Sequence, residues 1–190
     1  MDCAKISKTL VLAQCANSIA AIEPEIILIN KADIESVTES DGVITAITLA
    51  DGKYGYKYSS AKNAFEATVA FNKGTYLNSF VHGIVCRVLN KTQNAKGELN
   101  KLANGKVVAI VLNADSQNDE TKYEVYGLEN GLVMTDLQSA STDGDGVLYT
   151  FNLRSDDNAR ESELPKSFYS ASLAATKTAI EALLQSESAS

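Results

Sequence analysis

Residues 76–89 read YLNSFVHGIVCRVL, and this stretch decides the fold. Side chains alternate between the two faces of a strand. One face therefore carries Phe80, His82, Ile84, Cys86 and Val88, and the other carries Val81, Val85 and Leu89. A strand that is apolar on both faces needs cover on both sides. The run predicts a strand that either lies centrally in a β-sandwich or is covered by a neighbouring copy of the chain.

Further strands are predicted on both sides of this run. Residues 25–30 (EIILIN) and 107–112 (VVAIVL) are short apolar runs typical of buried strands. Shorter alternating segments are found at 66–71, 122–126, 132–137 and 147–153. Short strands at this spacing are typical of an antiparallel sandwich or barrel.

Asx-Gly pairs predict where the chain forms hairpins, since they supply the positive φ angles of tight β-turns. Asp51-Gly52 lies between VITAITL at 43–49 and YGYKY at 54–58, and this pattern predicts a hairpin. Asn130-Gly131 predicts a second hairpin, between 122–126 and 132–137.

Two helices are expected. QNAKGELNKLAN at 93–104 is followed by Gly105, a common residue after a helix end, and 171–184 carries apolar residues at helical spacing. The first 22 residues fit either an extended arm or a short helix. The predicted fold is mainly β (a β-rich α+β fold). Its parts are an N-terminal arm (1–24), an antiparallel β-sandwich or barrel (25–165) with a helix inserted near 93–104, a C-terminal helix (166–184) and a frayed tail (185–190).

Charge and cysteine content narrow the functional classes. The net charge is −7, and twelve acidic residues lie between 115 and 163, which disfavours a phosphate-gripping surface there. Three widely spaced cysteines (Cys3, Cys15 and Cys86) form neither a disulfide framework nor a zinc motif. Leu12-Ala13-Gln14-Cys15 resembles a lipoprotein cleavage box, but Gln14 stands where a small side chain is required.

No catalytic constellation emerges from the residues. The single histidine, His82, is expected to be a satisfied or interface-facing strand residue, and one histidine cannot build a His-rich metal site. The run 143–146 (DGDG) lacks the remaining ligands of a calcium loop. The acidic run with Asp156, Asp157, Glu161 and Glu163 is predicted to be an exposed loop. We therefore expect a non-enzyme without cofactor or metal.

Six strand residues are candidates for one subunit interface. Tyr54, Tyr56 and Tyr58 share one strand face, which fits cross-strand packing, a subunit interface or a ligand platform. The same interface is predicted to include Phe80, His82 and Ile84 of the long apolar strand.

Three stretches resemble phage or prophage tail tube (major tail) proteins. They are 26–30 together with 43–49 and its Asp-Gly turn, then Gly74-Thr75-Tyr76 leading into the long strand. The third is 123–132 (YEVYGLENGL), followed by 147–153, the loop with Glu161 and Glu163, and the C-terminal helix. Tail tube proteins similarly place an E-x-x-G-x-x-x-G-L hairpin before their final strands.

The resemblance implies a virion structural protein that assembles into stacked hexameric rings. DNA would pass through the lumen without specific binding, and the partners would be further copies and other tail proteins, with no membrane. The implied location is the virion tail, and the bacterial host cytoplasm during assembly. An acidic lumen is the matching hypothesis, built from Asp119, Glu120, Glu124, Asp136, Asp143 and Asp145. Residues 31–41 or 58–64 would supply the loop that reaches the next ring. The alternative is a secreted or lipid-anchored bacterial β-sandwich that binds a ligand or partner.

Overall fold

The computed structural model describes residues 22–59, 64–88, 92–114, 118–140 and 148–184. The predictions for residues 1–21 of the N-terminal arm, for Cys3 and Cys15, for Asp143 and Asp145 and for the frayed tail fall outside these residues. The predicted end of the arm at residue 24 is wrong, because the first strand already begins at Ile22.

The described residues form strands β1 (Ile22–Asn30), β2 (Ile34–Ser40), β3 (Val43–Leu49), β4 (Tyr56–Ser59), β5 (Phe65–Asn72), β6 (Ser79–Val88), β7 (Val107–Asn113), β8 (Tyr123–Tyr126), β9 (Leu132–Ala140), β10 (Leu148–Ser155) and β11 (Lys166–Ser167), with helices α1 (Gln93–Leu102) and α2 (Leu173–Leu183). The chain is therefore mainly β with two helices, and the predicted fold class is confirmed.

Nine of the strands form one antiparallel sheet that folds into two layers. The first layer has the order β4-β1-β7-β8-β11, and the second has the order β5-β6-β10-β9. The layers are joined where Val107 of β7 pairs with Leu132 of β9. Apolar side chains from both layers share one core, as in a β-sandwich.

This sandwich core explains the alternation in the long apolar run. Ile84 and Cys86 of β6 lie in it beside Phe151 and Leu153 of β10. Leu99 and Leu102 of α1 belong to the same core, which gives the inserted helix its buried face. The strand β6 is central in its layer, between β5 and β10.

A third layer covers the other face of the first sheet. The β2-β3 hairpin contributes Ile44 and Ile47, and α2 contributes Ile180 and Leu183, to a second core that also contains side chains of β1 and β7. The strands β1 and β7 are therefore buried on both faces. This is why their sequences, EIILIN and VVAIVL, are continuous apolar runs. Their prediction as buried strands is confirmed.

The hairpin predicted around Asp51-Gly52 is wrong. The strand β3 pairs with β2 across Asp41-Gly42, where both residues have positive φ (52° and 81°), as a tight two-residue hairpin turn requires. The tyrosine strand β4 pairs with β1 instead. Residues 31–41 are consequently not a free inter-ring loop, because most of them form β2.

The second predicted hairpin is also wrong. The strand β8 pairs with β7 and β11, and β9 pairs with β10, so the turn at 127–131 carries the chain from one layer to the other. Gly127 and Gly131 both have positive φ there (71° and 81°). The glycine motif behind the resemblance therefore forms a corner between sheets.

The C-terminal boundary differs from the prediction as well. Lys166 and Ser167 form the short strand β11 against β8, and the helix begins only at Leu173. Ser172 caps it, because its hydroxyl accepts the backbone N–H of Ala175 at 3.1 Å.

Candidate functional site

Among the residues that the structure describes, the second sheet layer, β5-β6-β10-β9, has two open edges. Within the described residues, β5 pairs only with β6. On the other side of the layer, β9 pairs with β10 and, within the described ranges, meets β7 only at Leu132. An open edge presents unpaired backbone N–H and C=O groups, which are a template for pairing with another strand. These two edges are the candidate functional site.

Exposed apolar side chains lie along both edges. Val69 and Phe71 of β5 are 39% and 60% exposed, and Leu137 of β9 is 47% exposed. All three project on the side of the layer that faces the core, since Leu137 is opposite the buried Phe151 and β5 alternates in step with β6. The Phe71 and Phe80 rings pack 5.7 Å apart. The edges therefore carry apolar surface that the described residues of this chain leave uncovered.

The outer face of this layer is mainly polar, with Val81, Val85 and Val133 as apolar members. One cross-strand row contains Glu66, Val85, Asn152 and Asp136, and the next contains Arg87, Thr150 and Gln138. A third row contains Thr68, Gly83, Arg154 and Val133. The Arg87 guanidinium lies 3.6 Å from the Glu66 carboxylate. Acidic and basic side chains alternate here, so the face has little net charge.

The predicted acidic lumen is not gathered on one surface. Asp136 lies on the outer face of the second layer, whereas Glu124 lies on β8 of the first layer, where its carboxylate accepts the Tyr126 hydroxyl at 3.1 Å. Asp119 and Glu120 form a short 3-10 turn before β8. Because β8 and β9 lie in different layers, these four carboxylates do not share one face, and of the four only Asp136 lies on the outer face of the second layer.

The predicted interface residues fall into two groups. Ile84 and His82 are only 1% and 2% exposed, so both are covered by this chain itself and their assignment to a subunit interface is wrong. Their strand face points into the sandwich core. Phe80 is half-buried near the tip of the hairpin formed by β5 and β6. The three tyrosines remain accessible, since Tyr54 and Tyr56 are exposed and Tyr58 is half-buried.

A groove of about 710 Å³ lies beside α1. We call it the α1 groove. Its wall is mainly apolar or aromatic, with a rim that contains Lys57, Glu98 and Lys101. Burial raises the pKa of Tyr58 and the neighbouring Glu98 carboxylate adds to the increase, so this hydroxyl stays neutral. The groove-lining apolar and aromatic residues are Leu28, Tyr56, Tyr58, Phe65, Val88, Ala95, Leu99, Leu102 and Val107.

His82 is a satisfied buried histidine. Its Nδ1 accepts the backbone N–H of Gly127 at 3.1 Å, and its Nε2 lies 3.0 Å from the carbonyl oxygen of Glu163. This pair of partners fixes the neutral tautomer with the proton on Nε2, which then donates to that carbonyl. The ring therefore ties the inter-layer corner to the loop after β10.

A second buried group in the same region was not predicted. The acidic run was expected to be an exposed loop, but Glu161 is only 3% exposed. Its carboxylate accepts the backbone N–H groups of Glu129 and Asn130 at 2.8 and 3.0 Å. The sequence gives no local signal for this burial, because the partners are about thirty residues away on another turn.

Three observations bear on other kinds of site. The described part of the chain contains no cluster of three or more His, Cys, Asp or Glu side chains arranged to bind a metal ion. Among the same residues, Cys86 is a buried free thiol. No helix within the described ranges is both long enough and apolar enough to cross a membrane.

Comparison with protein-family models, curated proteins and solved structures found no match to this chain. The class of protein is therefore defined by the geometry alone: a β-sandwich with a covered first layer and an open-edged second layer.

Proposed function

We propose that the protein is a self-assembling structural subunit whose copies join edge to edge into rings, and that the rings form a tail tube of the phage type. The observation that carries this proposal is the pair of open, partly apolar edges at opposite sides of one four-stranded layer. When such edges pair with the edges of like copies, their backbone N–H and C=O groups are satisfied and no longer promote uncontrolled aggregation.

Strand direction fits this closure. Each strand of the second layer is antiparallel to its neighbour, so with four strands β9 runs opposite to β5. A copy related by rotation about the ring axis keeps its direction, so its β5 is antiparallel to the β9 that it meets. The result is a continuous antiparallel barrel made by one heterologous contact repeated until it closes.

Side-chain polarity assigns the two faces of the barrel. The apolar Leu137, Val69 and Phe71 project toward the sandwich side, so they meet between neighbouring subunits outside the barrel wall. The polar rows with Glu66, Asn152 and Arg154 then line the lumen. A charge-balanced lining attracts phosphate little, which suits passage of DNA without specific binding.

Charged substitutions on the two edges test the proposal. Leu137→Lys or Phe71→Lys would place an unpaired ammonium at the junction, where its desolvation costs several kcal/mol. In sedimentation velocity, we expect either change to lower the ring fraction at least about tenfold. Ser36→Lys adds the same charge on the exposed β2 and is the matched control, which should leave ring formation unchanged. Rings that persist with both edge variants would contradict the proposal.

The lumen assignment has a separate test. Assembled rings mixed with linear duplex DNA at low salt should show no shift in a gel. A tight, salt-sensitive complex would mean that a basic surface, rather than this polar face, meets the DNA.

A further inference from the structure

The most exposed apolar side chains of the described residues lie at the tip of the β5–β6 hairpin. Tyr76 and Leu77 are 95% and 84% exposed, and they lie in the turn at 73–78 between the two strands. We call these two residues the hairpin tip. The two adjacent side chains form one exposed apolar patch, and contiguous patches of this kind mark interaction sites.

The α1 groove lies at the other end of the same hairpin. Phe65 and Val88 line the groove. Phe65 is the first paired residue of β5, and the last pair of the hairpin, next to the tip, is Asn72 with Ser79. At about 3.3 Å per residue, the eight residues of β5 separate the groove from the tip by roughly 25 Å. The chain therefore carries an apolar projection at one end of a rigid hairpin and a largely apolar recess at the other.

We propose that the hairpin tip of one copy inserts into the α1 groove of a second copy, and that this contact stacks one ring on the next. The inference rests on the proposed function. Barrel strands run at about 35–45° to the barrel axis, so the two ends of the hairpin point toward opposite faces of a ring. Projection and recess on opposite faces make a head-to-tail contact, which does not close and extends the assembly along the axis.

The size of the contact predicts the order of assembly. A buried tyrosine removes about 150–250 Å² from solvent. A tip of one Tyr and one Leu therefore falls well below the roughly 800 Å² per partner of a standard interface. One contact does not hold two free subunits together. Several contacts acting in parallel between two rings do, because each further contact forms at a high effective concentration. Rings consequently form first, and stacks form from rings.

Substitutions at the tip and in the groove test this contact. Tyr76→Ser combined with Leu77→Ser removes the projection, and Tyr56→Arg places a charge on the groove wall. In sedimentation velocity and negative-stain images, either change should abolish stacks and leave single rings. Tyr54→Ser is the matched control, because Tyr54 is 40% exposed, close to the 45% of Tyr56, but does not line the groove. Stacks that survive both changes, or rings that are lost with the tip variant, would overturn the contact.

A mixed cross-linking experiment separates this inference from the proposed function. Leu77→Cys and Ala95→Cys are made in separate full-length chains in which Cys3 and Cys15 are changed to Ser. The two proteins are mixed and oxidised. Oxidation traps even a short-lived encounter covalently, so a disulfide between the two different chains, absent with Ser36→Cys in place of Ala95→Cys, supports the contact whether or not rings are present. If no such disulfide forms at high protein concentration, the contact is wrong, even where rings are observed.

Discussion

Glu161 and Glu129 cap each other's loops. The Glu161 carboxylate accepts the backbone N–H of Glu129 at 2.8 Å. The Glu129 carboxylate in turn accepts both the backbone N–H and the hydroxyl of Ser162, at 2.8 and 2.7 Å. The bonds from Ser162 hold the pKa of Glu129 below its usual value. We call this pair the carboxylate clamp. It fixes the loop after β10 to the corner that joins the two sheet layers.

Loss of the clamp should destabilise the fold. Glu161→Ala leaves two backbone N–H groups without their charged acceptor, and a hydrogen bond to a charged group contributes about 1.5–3 kcal/mol. The free energy of unfolding, measured in urea, should therefore fall by at least about 2 kcal/mol. Glu120→Ala removes an exposed carboxylate and is the control, with an expected change within about 0.5 kcal/mol. Equal effects of the two changes would refute the clamp.

The corner glycine should be sensitive to a single methyl group. At Gly127, φ is +71° and an added Cβ would lie 2.6 Å from Cγ of Leu132. Gly42 has a similar φ of +81° but open space around the same position. Gly127→Ala should thus cost about 1–3 kcal/mol more than Gly42→Ala, because only the first change adds overpacking to the backbone penalty. Thermal unfolding of the two variants checks this, and indistinguishable midpoints would count against it.

His82 should make stability depend on pH. Burial lowers its pKa, and this outweighs the opposing effects of the nearby Glu161, Glu163 and Glu124. The unfolded chain then binds a proton more readily, so this contribution is complete above the ordinary pKa of about 6.5 and is lost as the pH falls below it. Protonation at Nδ1 would also break the bond from Gly127.

Urea unfolding between pH 7.5 and 5.5 measures this dependence. The wild-type protein should lose stability over that range, and His82→Gln should lose less because no imidazole titrates. Identical slopes in the two proteins would show that His82 does not control the transition.

Cys86 should resist chemical modification in the folded protein. Burial raises the pKa of its thiol to about 12, so almost no thiolate exists at neutral pH. With Cys3 and Cys15 changed to Ser, a thiol reagent at pH 8 should label Cys86 only at the rate of unfolding. The same protein in denaturing urea supplies the control and should react within the mixing time. Rapid labelling under native conditions would place the thiol outside the core.

The fold class was predictable because the strongest signals were local. EIILIN and VVAIVL are apolar at every central position, and the covering by β2-β3 and α2 explains why. Pairing was not predictable, since Asp41-Gly42 and Asp51-Gly52 look alike in sequence. The strand β2 (IESVTES) is polar because much of it faces solvent, and so it was missed.

The site shows the same division. Residues of the long strand were expected at a subunit interface, but two of them, His82 and Ile84, are buried within this chain. Exposure fell instead on Phe71, Tyr76 and Leu137. Whether a residue on the core side of a strand is covered depends on how far the opposing layer extends over it. The pattern within one strand does not contain that information.

Light scattering of the wild-type protein at millimolar concentration, with size-exclusion separation, tests the central claim most directly. If the open edges of β5 and β9 join like copies, the mass will be an integral multiple of 20.3 kDa that corresponds to closed rings or stacks of them. A single species of 20.3 kDa at that concentration would mean that the chain needs no neighbours, and the tube would have to be abandoned.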